Sequence, residues 1–242
     1  MMNTSRRSFL AAVGLGAAQD VLQGAEDHKM NEIAFHRAIA VAATYDMIVC
    51  GGGPAGCAAA IAAGRRGLRT ALVEAAGQLG GMGTSGLVSH WLGGRTFDCR
   101  RWVVGGLFRE FSQEATGQGF ALIPEGTAPD TFSPHGWKYE LNHGIPFDPF
   151  EMAFYLDRKT GADSVDVFLA TRALDVYVSN NTITHVIAHN KSGLFALGAK
   201  AVVDATGDAD IAAISRCQIE KGRSGDGLTT PATLMFHVYN VD

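Results

Sequence analysis

An α/β fold, a parallel sheet joined to an antiparallel β-meander crossover, is predicted for this 242-residue chain by three features of its sequence. From Thr44 to Glu74 it reads TYDMIVCGGGPAGCAAAIAAGRRGLRTALVE, an apolar strand, a glycine turn, a helix and a second strand that closes on an acid. Directly after comes AAGQLGGMGTSG, a loop too rich in glycine and small hydroxyl residues to be a helix. Later, VDVFLATRALDVYV, NTITHVIAHN and LFALGAKAVVDATGDADIAA form short β-runs parted by Asn180-Asn181 and Lys191-Ser192-Gly193, a meander that leads back into the sheet.

The first unit is a Rossmann-like dinucleotide fingerprint in its proper context. Met47–Val49 supply the strand, and Gly51, Gly53 and Gly56 form the G-x-G-x-x-G, with Pro54 and Ala55 inside it at the helix start. Gly51 makes the tight turn, Gly53 lets a pyrophosphate approach the backbone, and Gly56 with Ala60 brings the helix close to the sheet. The free N–H groups of the helix start face the phosphates. Glu74, ending the second strand, accepts hydrogen bonds from a ribose.

That fingerprint alone does not separate NAD from FAD, which share an ADP moiety. The second glycine loop suits a large flavin: Gly80, Gly81 and Gly83 let backbone N–H groups reach the pyrophosphate or ribityl chain, and Thr84 and Ser85 add hydroxyls. An NAD(P) enzyme needs a second pyridine-nucleotide fingerprint, and the chain has one G-x-G-x-x-G at a strand end.

With GGGPAG after the first strand and VVDATGDAD after the meander, the sequence resembles the FAD-dependent oxidoreductases of the glutathione-reductase-type fold, in particular the family that includes the flavoprotein part of heterodisulfide reductase A. GGMGTSGLVSHW, VVGGLFREF, FDPFEM and DGLTTPATLMFHV belong to the same likeness, which covers residues 44–242. The resemblance implies that Gly51, Gly53, Gly56 and Glu74 hold the ADP part and that Gly80, Gly81 and Thr84 lie near the pyrophosphate and flavin side. It further implies that backbone at Ala173 touches the adenine, and that Ala205, Thr206, Gly207 and Asp208 line the cofactor cleft. Ala173 departs from the larger β-branched residue usual in the family, a change that a backbone contact survives. The family continues into a substrate domain and a closing C-terminal segment, so this chain is expected to be the N-terminal part of a longer protein. Its 44–230 stretch is then an FAD-binding domain with an inserted segment at 86–147, and 231–242 is the start of a substrate domain that is largely missing. A strand beginning TLMFHV is expected there.

The N-terminus carries an export address. Ser5-Arg6-Arg7-Ser8-Phe9-Leu10 and AAVGLGAA combine paired arginines, a short apolar core and small residues, and look like a twin-arginine signal within residues 1–25. The apolar run is shorter than the about 20 residues that span a bilayer. An exported, periplasmic or extracellular protein is expected, delivered by the twin-arginine machinery with its fold intact. Residues 26–43 then form a leader or linker, with a helix through NEIAFHRAIAVAA.

The remaining chemistry is sparse. A net charge of −4 leaves no basic footprint for nucleic acid. Cys50 and Cys57 read as packed small residues, and without a C-x-x-C or C-x4-C pair there is neither a dithiol relay nor a ligand set for an iron–sulfur cluster. His185 and His189 share a strand face about 13 Å apart, too far to share a metal. His90, in SGLVSHWLGG, is the candidate catalytic residue, donating a proton or orienting substrate; a packed histidine beside Trp91 is the competing reading. Arg95, Arg100 and Arg101 read as a solvated cluster before an anion site. Asp148-Pro149-Phe150-Glu151 reads as a helix start, with acids that cap rather than catalyse. Together these features predict an exported FAD-dependent oxidoreductase, a dehydrogenase that takes a hydride equivalent from a small organic substrate and passes electrons to an acceptor. The alternative is a non-catalytic dinucleotide-binding module, or a remnant completed by another chain.

Overall fold

The structure, a computed structural model, describes residues 36–96, 98–124 and 144–238. The chain divides into two units, Met1–Ala38 and Ile39–Asp242. Only residues 36–38 of the first are described, and they carry no helix or strand. The twin-arginine segment lies outside the described residues.

The second unit runs β1 (Val41–Cys50), α1 (Pro54–Gly64), β2 (Thr70–Val73), a 3-10 turn (Gly81–Gly83), β3 (His90–Trp91), α2 (Gly106–Gly117), β4 (Ile145–Pro146), α3 (Pro149–Ala162), β5 (Val165–Phe168), β6 (Arg172–Ser179), β7 (Thr182–Asn190), β8 (Gly193–Asp204) and α4 (Asp210–Ile214). Six strands form one sheet in the order β5-β2-β1-β8-β7-β6, and β3 pairs with β4 separately. The first four sheet strands are parallel, β2 lying between β5 and β1 and β1 between β2 and β8. From β8 onward the pairing turns antiparallel through β7 to β6. The predicted architecture is therefore present, and β8 joins its two parts: Gly193–Gly198 pair with β7, while Ala196–Asp204 run beside β1.

Alternation along the strands builds a core on each face of the sheet. Val49 and Leu72 join Cys57, Ala60 and Ile61 of α1 with Met152, Tyr155 and Leu156 of α3 on one side. Ile48, Cys50, Ala71 and Val73 join Val186, Leu197 and Ile211 on the other. Fully buried side chains of the size of Ile48, Ile61 and Leu72 contribute about 1.5–3 kcal/mol each over leaving them in water. Asp148 caps α3 as expected: its Oδ1 accepts from the N–H groups of Phe150 (2.8 Å) and Glu151 (3.0 Å), with Pro149 in the first turn. Asn180 and Asn181 both take positive φ, +48° and +58°, the pair of left-handed residues that a two-residue hairpin turn requires.

Charged side chains tie the three helices on one face together. The Arg65 guanidinium binds Glu110 (2.6 Å) and Asp163 (3.2 Å), and Lys159 Nζ lies 2.8 Å from both Glu110 and Glu114. The hydrogen bond from Arg65 holds the Glu110 carboxyl down at about 2. The group is partly exposed, so each pair is worth at most about 1 kcal/mol.

Three expectations are corrected. The helix expected through residues 31–43 does not reach its end: residues 36–40 are irregular, and Val41–Ala43 extend β1, because the free edge of β8 offers them backbone partners at Ala196 and Leu197. The first β-run is two strands, since Ala170 (φ +47°) breaks it and β5 joins the parallel side while β6 joins the meander. Residues 231–238 form no strand, and they leave Leu234 and Phe236 largely exposed.

Candidate cofactor cleft

The cleft is built where β1, β2 and β8 end together. The ladder continues past the strands through Gly51 N–H to Val73 O (2.8 Å) and Ala205 N–H to Cys50 O (2.8 Å). Gly51 turns there with φ +98°, and a Cβ on it would lie 2.4 Å from Ala205 O and 2.9 Å from Thr206 N. The segment around Ala205 and the first glycine turn are thus in backbone contact. Gly56 closes the helix onto the same turn: its Cβ would lie 1.8 Å from Gly51 O and 3.3 Å from the Ala205 Cβ.

Gly53 differs from both. A Cβ there would meet nothing within 4 Å, so its outer side is open space. It is the N-cap of α1, and no side chain caps that helix end. The N–H groups of Ala55 and Gly56 have no partner inside the helix, so they present positive charge density toward that space. Pro54, exposed at the first helical position, offers no N–H to lose.

The second glycine loop forms the facing wall. Gly80 N–H donates to Gly52 O (2.8 Å), and a Cβ on Gly81 would lie 3.0 Å from the Gly53 Cα. Gly80 and Gly81 take φ of +102° and +50°, which suits residues without a side chain. Thr84 is buried, and its hydroxyl donates to Leu79 O (2.6 Å), fastening the loop. Ser85 is exposed and accepts from Gln78 Nε2 (3.1 Å).

Glu74 stands half-buried at the end of β2. Both of its oxygens take backbone donors, Oε2 from Gly52 N–H (2.5 Å) and Oε1 from Ala76 N–H (2.6 Å). Its own backbone is bracketed by the chain after β5, Glu74 N–H donating to Phe168 O and Thr171 N–H to Glu74 O (2.9 Å each). Ala173 follows two residues later, half-buried on β6 opposite Ala188.

On the β8 side, Asp204 organises the turn into α4. Its Oδ1 accepts from the Thr206 N–H (3.0 Å) and hydroxyl (2.6 Å), its Oδ2 from Ala212 N–H (2.8 Å), and the Thr206 Oγ1 accepts from Asp210 N–H (2.8 Å). Burial pushes the Asp204 carboxyl up, but these donors outweigh it and hold it below the ordinary range. Gly207 and Asp208 are exposed beyond that turn, and Gly207 has no atom within 4 Å of a Cβ position. Asp204 and Gly52 were not among the residues singled out from sequence. The only sequence signals were an acid closing the strand before Ala205 and a middle glycine in GGG.

Gly51–Gly56, Glu74, Gly80–Thr84 and Ala205–Thr206 are thus linked by contacts into one cleft, with Ala173 approached through the Phe168–Thr171 segment. His90 lies on β3, its ring packed over Gly144, where a Cβ would be 2.2 Å from its Nε2. Its neighbour Trp91 packs against Phe147 in a tilted arrangement (ring centroids 4.6 Å apart) and backs the second loop at Gly83. Arg95 donates to Cys99 O in its own loop and to Pro124 O beyond α2, whereas Arg100 and Arg101 are exposed. Cys50 and Cys57 are fully buried, and burial pushes both thiols up to about 12, as packed small residues require.

This cradle fits the pyrophosphate of a dinucleotide: open space before Gly53, uncapped helix donors behind it, and glycine backbone on the opposite wall. A family model described as FAD dependent oxidoreductase matches residues 46–242. No curated protein matches the sequence. Among solved structures, a geranylgeranyl bacteriochlorophyll reductase-like protein from Thermoplasma acidophilum is similar at TM-score 0.52 and 20% identity, over 72% of this chain and 42% of that one. L-proline dehydrogenase from P. horikoshii is similar at TM-score 0.48 and 17% identity, over 71% of this chain and 56% of that one. The Thermovibrio ammonificans THI4 protein is similar at TM-score 0.46 and 18% identity, over 88% of this chain and 70% of that one. The chain therefore spans less than half the length of the first of these.

Proposed function

Because the chain belongs to the FAD dependent oxidoreductase family, with FAD as its cofactor, we propose that the cleft holds the ADP half of FAD in an exported dehydrogenase acting on a small organic substrate. The observation that carries this reading is the open space before Gly53, at the uncapped N-terminus of α1 and under Gly81. Gly53, Ala55 and Gly56 would meet the pyrophosphate with backbone only, Gly80 and Gly81 would face it from the second loop, and Thr84 would keep that loop in place. Glu74 would accept from the ribose hydroxyls, since each oxygen keeps a lone pair beyond the backbone N–H it already binds. Backbone at Ala173 would meet the adenine, and Ala205–Asp208 would line the cleft toward the flavin. FAD, when bound, supplies the redox chemistry by taking a hydride equivalent from a substrate carbon and passing electrons to an acceptor. His90 is the candidate to orient substrate or hold a proton.

The finer kinship proposed is with the flavoprotein part of heterodisulfide reductase A, on the motifs GGMGTSGLVSHW and VVDATGDAD. Purified from cytoplasm, the full-length protein should be yellow and release FAD on denaturation. Recovery of NAD, of FMN alone, or of no nucleotide overturns the reading.

Export is proposed from Arg6-Arg7 and the short apolar run after them. Replacing the pair, Arg6→Lys with Arg7→Lys, keeps the charge and should strand the precursor in the cytoplasm. An unchanged exported fraction, measured by immunoblot of cell fractions, means that the segment is only a basic tail.

A further inference from the structure

Gly52 is held at both of its polar backbone atoms. Its N–H donates to Glu74 Oε2 (2.5 Å), and its carbonyl accepts from Gly80 N–H (2.8 Å) and from the Cys57 thiol (3.2 Å). The residue is buried and tightly walled: a Cβ would lie 2.7 Å from Leu79 Cδ2 and 3.0 Å from Glu74 Cβ. It cannot shift on one side without shifting on the other. The loop that Gly80 opens carries Gly81 against Gly53. One residue therefore links the acid at the ribose end of the cleft to the loop at its far wall.

We propose that Glu74 is a positioning residue for the second glycine loop, acting through Gly52 on Gly80, in addition to any contact it makes with a ribose. The inference rests on the FAD reading of the cleft. On this reading a carboxylate suits the position better than another ribose acceptor does. Both oxygens face N–H donors, from Gly52 and Ala76, so a glutamine must turn its NH2 group against one of them. A shorter aspartate cannot reach both. A residue that served the ribose alone would tolerate glutamine far better, because an amide oxygen still accepts from a hydroxyl.

The test is amide hydrogen exchange on the flavin-free protein, paired with the visible spectrum and FAD affinity of the loaded protein, for Glu74→Gln, Glu74→Asp and Cys57→Ala. The Gly80 amide is the discriminating probe, since it donates to Gly52 and touches neither Glu74 oxygen. In Glu74→Gln it should exchange at least about tenfold faster, and the flavin absorption bands should move along with a weaker FAD affinity. Cys57→Ala, which removes the buried thiol donor to the Gly52 carbonyl and leaves the Glu74 carboxylate in place, should also speed Gly80 exchange, by a smaller factor. Should Glu74→Gln not fold, Glu74→Asp carries the same expectation. Unchanged Gly80 exchange in the Glu74 variants, with only FAD affinity reduced, overturns the relay and leaves Glu74 a ribose contact. A wild-type protein with a protected Gly80 amide that takes up no FAD overturns the cofactor reading instead, so the two failures are distinguishable.

Discussion

Gly53→Val is expected to give a folded protein that carries no FAD. The backbone at Gly53 is extended, φ −67° and ψ −178°, a conformation open to any residue, and no atom lies within 4 Å of where the new Cβ would stand. Folding therefore meets no steric objection. The branched side chain instead fills the space in front of the α1 N-terminus, where helix donors and the glycine wall leave room for a pyrophosphate. A loss of at least a hundredfold in affinity, about 3 kcal/mol, should appear as a colourless protein with a thermal midpoint equal to that of flavin-free wild type. Normal flavin content would place the phosphates elsewhere and sink the proposed site.

Gly56→Val, three residues on in the same motif, should fail for the opposite reason. Its Cβ position lies 1.8 Å from the Gly51 carbonyl oxygen and 3.3 Å from the Ala205 Cβ. The first obstacle is backbone, held by the bonds that continue β1 between β2 and β8, so it cannot swing aside as a side-chain tip does. The helix must lift from the sheet, opening the core around Val49, Cys57 and Ile61. A destabilisation beyond about 3 kcal/mol is expected, the upper end of what overpacking costs, and the protein should be recovered insoluble or with a sharply reduced urea midpoint. A soluble Gly56→Val with the wild-type midpoint would show that helix and turn are not packed as described. One glycine thus guards ligand space and the other guards a packing contact.

The features legible in the sequence are those whose causes lie within a few residues. The N-cap of α3 is the Asp148 carboxylate accepting from the N–H groups of residues two and three positions on. The Asn180-Asn181 turn needs only two residues that tolerate positive φ. The alternation that sends Val49 to one core and Ile48 to the other is a property of any strand. The glycine fingerprint, too, is local, so the parallel βαβ unit and the meander after it were predictable in type and order.

What required the tertiary structure are the contacts between segments far apart in the chain. Val41–Ala43 became strand because β8 lay beside them, overriding a helical pattern of alanines. The α2 helix, inside the inserted segment 86–147, is anchored by Arg65 and Lys159, each 45 positions from its partner, Glu110 and Glu114 respectively. Glu74 is separated from Gly52 by 22 residues, and nothing in either neighbourhood says that its oxygens would be shared with the backbone of the first turn. Turn chemistry, caps and periodicity are short-range consequences of sterics and single hydrogen bonds, and they determined which elements form. Which element lies against which, and hence that Gly52 links Glu74 to Gly80, was decided only when burial of both sheet faces brought the ends of β1, β2 and β8 together.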